Sequence, residues 1–183
     1  MTDAPLVVLD ACVLVNFSLC DTLLRLAEPP RLYEPKWSEQ IIAETIRTLE
    51  SKLDWPRSLT DYLQSELRAH FSDAWVSGYE SLIPTMTNEE KDRHVLAAAV
   101  HGGAPIIVTF NLRHFPVEHV SCWGVTWLPQ SWKHRLPIGA GVFRNCSTSC
   151  VRLCPVLWRW FRAFRRGENN RLPARRHHAK MEP

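Results

Sequence analysis

Four acidic side chains stand at positions where a folded chain has little use for charge. Read as a helix from Asn88 to His101, the segment NEEKDRHVLAAAVH gathers Val95, Leu96, Ala99 and Val100 on one apolar arc, and both Asp92 and Glu89 fall inside it, facing the core. Asp10 ends the apolar run LVVL, and Glu44 flanks the apolar arc Ile41, Ile42, Ile46 and Leu49 of a helix expected from Glu39 to about Glu50. A carboxylate turned inward without a partner costs on the order of several kcal/mol, so it must be protonated, paired with a cation or bound to a metal. Carboxylates that share a pocket repel one another, and a proton or a hard divalent ion such as Mg²⁺ or Mn²⁺ relieves them. No His or Cys is placed to make a softer site. Oxygen ligands of this kind suit an ion that keeps waters, binds phosphate oxygens and activates a nucleophilic water, which is the chemistry of phosphodiester hydrolysis. Ordinary roles stay open for each acid alone: Asp10 as a helix cap, Glu44 as a solvated flank residue, Asp92 and Glu89 as partners of Arg93 or Lys91. His94, His114 and His119 are expected mainly at the surface or at helix caps.

The elements that must position these acids follow from periodicity and punctuation. Leu6 to Leu9 reads as a buried strand, with Asp10 at its carboxyl end and a turn and helix after it. Cys20 to Ala27 continues as helix until Pro29 and Pro30, and Arg31 to Lys36 reads as a connection. Ser38 is a good N-cap for the Glu39 helix, with Trp37 packing on Ile42 as a hydrophobic staple. After Trp55-Pro56, the spacing Leu63, Leu67, Phe71, Trp75 predicts a long helix or helix pair to about Ser77, with Gly78 to Met86 as a loop. Thr87 with Glu90 forms a capping box for the helix that carries Asp92, and Gly102-Gly103 stops it. Ile106 to Thr109 and Gly124 to Leu128 read as short buried strands, and Asn111 stands just past the first of them. Strands alternating with helices on short connections predict an α/β domain with a mostly parallel sheet, whose ligand sites gather beyond the strands' carboxyl ends. Asp10 and Asn111 are both there.

With 183 residues, 45% apolar and 22% charged, the chain suits one globular domain. No apolar run approaches a membrane span, and Met1 to Leu6 lacks the basic start and apolar stretch of a signal peptide, so a cytoplasmic protein is expected. Of six cysteines, Cys12 and Cys20 lie in apolar segments and read as reduced core thiols. Cys146, Cys150 and Cys154 recur every fourth residue without the CxxC or His spacing of a zinc site. No GxGxxG, Walker loop or GxSxG occurs, which removes support for nucleotide-binding and serine-hydrolase readings. The formal charge of +3 conceals a split: residues 1–130 carry 10 Lys/Arg against 17 Asp/Glu, and residues 131–183 carry 12 against 2. We therefore divide the chain into a domain of residues 1–132 and a basic, Arg/Trp/Cys-rich extension of residues 133–183, disordered or partly helical. From Pro155, PVLWRWFRAFRR forms a basic amphipathic helix if it folds, a composition suited to nucleic acid or an anionic membrane.

The segments VVLDACVLVNF, WSEQIIAETIRTL, KDRHVLAAA and IIVTFNLRHFP, in this order and spacing, resemble a PIN domain of the VapC-like ribonuclease toxins from bacterial toxin–antitoxin pairs. The resemblance covers about Leu6 to Leu128. It implies a three-layer α/β/α sandwich, Mg²⁺-dependent (or Mn²⁺-dependent) endoribonuclease activity on an RNA substrate, a cognate antitoxin protein that blocks the site, and a homodimer. By position, Asp10, Glu44 and Asp92 match three family acids, and Asn111 stands where many members carry a fourth aspartate. Asn111 offers a neutral oxygen ligand or holds a water, and Glu89 supplies the charge it lacks. Thr109 matches the family's hydroxyl, which would orient Asp10 or a ligand water. The expected metal ligands are thus Asp10, Asp92, Glu44 and Glu89. The competing expectation is a non-catalytic protein of the same fold that binds RNA or an antitoxin.

Overall fold

The structure, a computed structural model, describes residues 4–128, apart from the side chains of Trp127 and Leu128. The expected basic extension, with Cys146, Cys150, Cys154 and the amphipathic segment from Pro155, lies outside the described residues.

The run LVVL forms β1 (Leu6–Leu9), and the chain then turns into α1 (Ala11–Leu14) and α2 (Phe17–Leu26). Next come β2 (Glu34–Ser38), α3 (Glu39–Leu53), α4 (Arg57–His70) and β3 (Trp75–Val76). After a long connection follow α5 (Arg93–His101), β4 (Ile106–Val108), α6 (Val117–Val120) and β5 (Thr126–Leu128). The strands lie in the order β3-β2-β1-β4-β5, and every neighbouring pair is parallel.

That order determines the layers. From β1 through β2 to β3 the chain steps toward one edge by way of α1 to α4; afterwards it returns past β1 and steps toward the other edge by way of α5 and α6. Crossovers between parallel strands are right-handed, so opposite directions of travel put the two helix groups on opposite faces. The expected α/β/α sandwich follows, and β1 shows it: Val7, Val8 and Leu9 are buried in succession, as a strand covered on both faces requires.

Several boundaries differ from the sequence expectations. β2 occupies a stretch read as a connection, because Glu34-Pro35-Lys36 has the composition of a loop. Its place comes from the β1 ladder, in register Leu6↔Glu34, Val7↔Pro35 and Val8↔Lys36. β3 pairs with β2 only through Trp37 and Ser38, which leaves Pro35 outside that second ladder. β3 itself lies within the stretch expected to be helical to Ser77. α4 stops at His70, Phe71 leaves helical geometry at φ −130° and ψ 50°, and Trp75 turns edge-on to Trp37 with ring centroids 6.1 Å apart. Phe71 packs on the same indole at 5.7 Å. The regular spacing was real, but its last two members reach Trp37 across a break.

Ser38 caps α3 as expected, its hydroxyl accepting from the Ile41 amide at 3.3 Å. α5 begins at Arg93, five residues later than expected, after a 3₁₀ turn over Glu90–Asp92. Thr87 does not form the capping box, because its hydroxyl meets His119 Nδ1 at 2.8 Å.

Because β1 is enclosed by both helix layers, Leu9→Ala is expected to destabilise the protein by about 2–5 kcal/mol. Leu32→Ala, at an exposed side chain, should stay within about 0.5 kcal/mol of the wild type. Urea denaturation of both variants checks the contrast.

Candidate active site

Leu9 pairs with Val108 at the ends of β1 and β4, so the residues that follow, Asp10 and Thr109, emerge side by side. The Asp10 amide extends the ladder by one bond, to Val108 O at 3.1 Å. The Thr109 hydroxyl donates to Asp10 Oδ2 at 2.6 Å, the orienting bond expected of it. Asp10 is only 2% exposed. A second donor to the same oxygen is the Cys12 thiol, at 3.0 Å. Cys12 Sγ also accepts from the Phe110 amide at 3.2 Å, and the Asn111 amide donates to Thr109 Oγ1 at 3.0 Å. Burial first, and then the negative charge of Asp10, push the Cys12 thiol up to about 12, so it stays a neutral S–H donor. Cys12 is thus more than the plain core thiol expected of it, and its position two residues after Asp10 is the signal the sequence holds.

Asp92 stands at the N-cap position of α5 and is 4% exposed. Its carboxyl is raised above the usual range, chiefly by burial and next by the charge of Asp10, with His114 opposing. The second cause means that the two aspartates sense each other. His114 Nδ1 lies 2.7 Å from Asp92 Oδ2 in an ion-pair contact whose alignment falls short of a hydrogen bond.

Glu44 is bordering rather than buried, its side chain 41% exposed, and His94 Nε2 approaches its Oε2 at 3.5 Å. That contact with His94 is the main reason the Glu44 carboxyl is held below its ordinary range, against the opposing effect of burial. His94 is itself 4% exposed. The expectation that the histidines lie at the surface therefore fails for His94 and His114, which face acids from α5 and from the turn after β4. On the helix His94 lies opposite the arc of Val95, Leu96, Ala99 and Val100, so that arc gives no sign of it; the only signal is that Ala97 and Ala98, which flank it on the far side, are apolar as well, the mark of a helix buried all round.

Glu89 is exposed, contrary to the inward orientation expected of it. The physical reason is backbone geometry: at φ −51° and ψ 129° Glu89 precedes the 3₁₀ turn in extended conformation, so the helical arc that would have turned it inward does not exist there.

Among the described residues, no group of three or more His, Cys, Asp and Glu side chains is arranged to hold a metal ion. The juxtaposed acids are two, Asp10 and Asp92. The fit of a metal can still be judged from the donors. Seven buried side-chain polar atoms among the described residues lack a hydrogen bond, and five of them belong to Asn88, Asp92, His94 and His114. Three of these five, Asp92 Oδ2, His94 Nε2 and His114 Nδ1, meet an opposite group only in ion-pair contacts that fall short of hydrogen bonds, and the Asp92 carboxyl also senses the charge of Asp10; a hydrated cation or its waters would complete such contacts. Mg²⁺ commonly takes one or two protein carboxylates and keeps several waters, so this donor set fits it.

The chain matches no family profile. Over 67 residues, 36% of this chain, it is 45% identical to "Putative ribonuclease VapC50" of Mycobacterium tuberculosis. The matched stretch is 40% of that protein, so the chain spans about two fifths of the length of the curated relative. Identity at this level over 67 residues is homology, and the resemblance read from the sequence motifs is borne out to that extent.

The raised Asp92 carboxyl has a definite sign in stability. A group whose pKa is higher in the folded chain favours folding below its ordinary value, and that contribution is lost as pH rises through the folded value. Asp92→Asn is therefore expected to raise the thermal midpoint near neutral pH. The gain should vanish in acid below the ordinary carboxylate range. Thermal melts of both proteins across pH check it.

Proposed function

We propose that this chain, on the strength of that homology, is a metal-dependent endoribonuclease and the toxin of a type II toxin–antitoxin pair. The observation that carries the reading is the juxtaposition of Asp10 and Asp92, with Thr109 beside them, at the carboxyl edge of the sheet in a homologue of a protein named as a ribonuclease.

Asp10 and Asp92 would hold Mg²⁺ or Mn²⁺, and the ion, when bound, neutralises the scissile phosphate and lowers the pKa of the attacking water. The residues of the chain do the positioning. Thr109 holds Asp10 in one orientation through its 2.6 Å bond. Burial and the charge of Asp10 keep Asp92 in an unfavourable state that a cation relieves. Glu44, kept ionised by His94, stands at the rim, where it can hold a water or accept its proton. Asn111, anchored through its amide to Thr109, offers a neutral oxygen. Glu89, on the solvent side, would contribute through a bridging water. The partners in this reading are a single-stranded RNA, an antitoxin protein that covers the acid edge, and a second copy of the chain. No helix among the described residues is long and apolar enough to cross a membrane. The cytoplasm is the proposed place of action.

One observation favours a second reading, a non-catalytic RNA-binding or antitoxin-binding protein. Asn111 is neutral, Glu89 points outward and Glu44 is half-exposed, which leaves two buried acids, Asp10 and Asp92, of the four acidic ligands expected. Metal binding and catalysis separate the two. We expect Asp10→Asn and Asp92→Asn each to slow Mg²⁺-dependent cleavage of single-stranded RNA by at least about 100-fold, and calorimetry with Mn²⁺ to show binding that Asp92→Ala abolishes. Unchanged cleavage in the two Asn variants would overturn the proposal. RNA binding by a wild-type chain that takes up no Mn²⁺ would establish the second reading.

A further inference from the structure

We propose that Cys12 is a positioning residue: together with Thr109 it clamps one oxygen of Asp10, Oδ2, and leaves Oδ1 as the oxygen this carboxylate presents to a cation. The inference rests on the metal-dependent reading above and assigns a role to a side chain that reading does not use.

Two relays of the same form converge on Asp10 Oδ2. In one, the Asn111 amide donates to Thr109 Oγ1 at 3.0 Å, and that hydroxyl donates to Oδ2 at 2.6 Å. In the other, the Phe110 amide donates to Cys12 Sγ at 3.2 Å, and the thiol donates to the same Oδ2 at 3.0 Å. Each relay begins at one of two successive amides just beyond β4 and ends on the carboxylate just beyond β1. The thiol and the hydroxyl also touch, at 3.4 Å. A donor that itself accepts a hydrogen bond is polarised by it, so each amide strengthens the bond that follows.

The consequence concerns rotation. The terminal torsion of an aspartate is broad when nothing holds it. One donor from one backbone segment still permits swinging about that contact. Two donors, one from the first turn of α1 and one from the residue after β4, meet at a single oxygen and remove that freedom. Partners of this kind behind a metal ligand set its orientation, and their loss typically costs about 10–100-fold in metal affinity. Serine keeps both the donor and nearly the shape of cysteine. Valine has no donor but is β-branched and one carbon larger, so the thermal midpoint is what reads any packing cost it adds.

The test is Mn²⁺ calorimetry on the full chain, alongside thermal melts, for wild type, Cys12→Val and Cys12→Ser. Cys12→Val is expected to bind Mn²⁺ about 10–100-fold more weakly without a fall in thermal midpoint, and Cys12→Ser to restore wild-type affinity. A folded Cys12→Val chain that binds Mn²⁺ as tightly as wild type overturns the inference and leaves the proposed function standing. A wild-type chain that binds no Mn²⁺ overturns the proposed function instead. The clamp is then decided, as it also is should Cys12→Val fail to fold, by the infrared S–H stretch isolated as the difference between wild type and Cys12→Ser. In the Asp10→Asn chain that band is expected to move to higher frequency, because the thiol has lost an anionic acceptor. A band that stays in place overturns the clamp.

Discussion

The register of β1 against β4 is the constraint on which the candidate site depends. Val7, Val8 and Leu9 face Ile106, Ile107 and Val108, and the ladder runs one bond further through the Asp10 amide. Only this alignment makes Asp10 and Thr109 neighbours, since a slip of one residue in a strand turns its side chains to the opposite face. The apolar residues of both strands enforce the register, being buried between two helix layers, so packing far from the acids determines where they stand. Two polar relays from the Phe110 and Asn111 amides then hold the carboxylate that the ladder has delivered.

Asp92 reaches the same edge by a different route. Ala97, Ala98 and Ala99 are buried, small side chains that let α5 lie close to the sheet, and a Cβ on Gly102 would stand 3.0 Å from both Ala98 O and a Val76 methyl. The close approach carries the first turn of α5, with Asp92 at its start, toward the end of β1. A helix N-terminus favours a negative charge by about 0.3–1 kcal/mol. Here burial and the charge of Asp10 outweigh it, because the Asp92 carboxyl is raised all the same. The fold thus carries a local electrostatic penalty at the point where its proposed chemistry needs one.

The histidines tie separate elements together around this edge. His94 joins α5 to Glu44 on α3, and His114 joins the turn after β4 to Asp92. Glu44 and Asp92 respond in opposite directions: His94 lowers the first, while burial raises the second despite His114. One acid is therefore kept ionised at the rim and the other is uncomfortable as an anion inside, a division of labour set by exposure rather than by residue type.

Much of this was legible in the chain itself. The runs LVVL and IIV, each followed by a polar residue, determined two central strands and the positions of Asp10, Thr109 and Asn111 beyond them, because a buried parallel strand must be apolar on both faces. Ser38 and Gly102-Gly103 marked helix ends through local backbone chemistry alone. The tertiary structure alone decided the rest. β2 is a strand because β1 offers an unpaired edge, whatever Glu34-Pro35-Lys36 prefers, and α4 breaks because Phe71 and Trp75 must both reach Trp37. Glu89 faces solvent because the helix that would have turned it inward starts four residues later, at Arg93. The Thr109 hydroxyl and the two histidines joined the acids only when separate segments met, since contacts between residues from different elements, such as Thr109 with Asp10 or His94 with Glu44, leave no periodic trace in either.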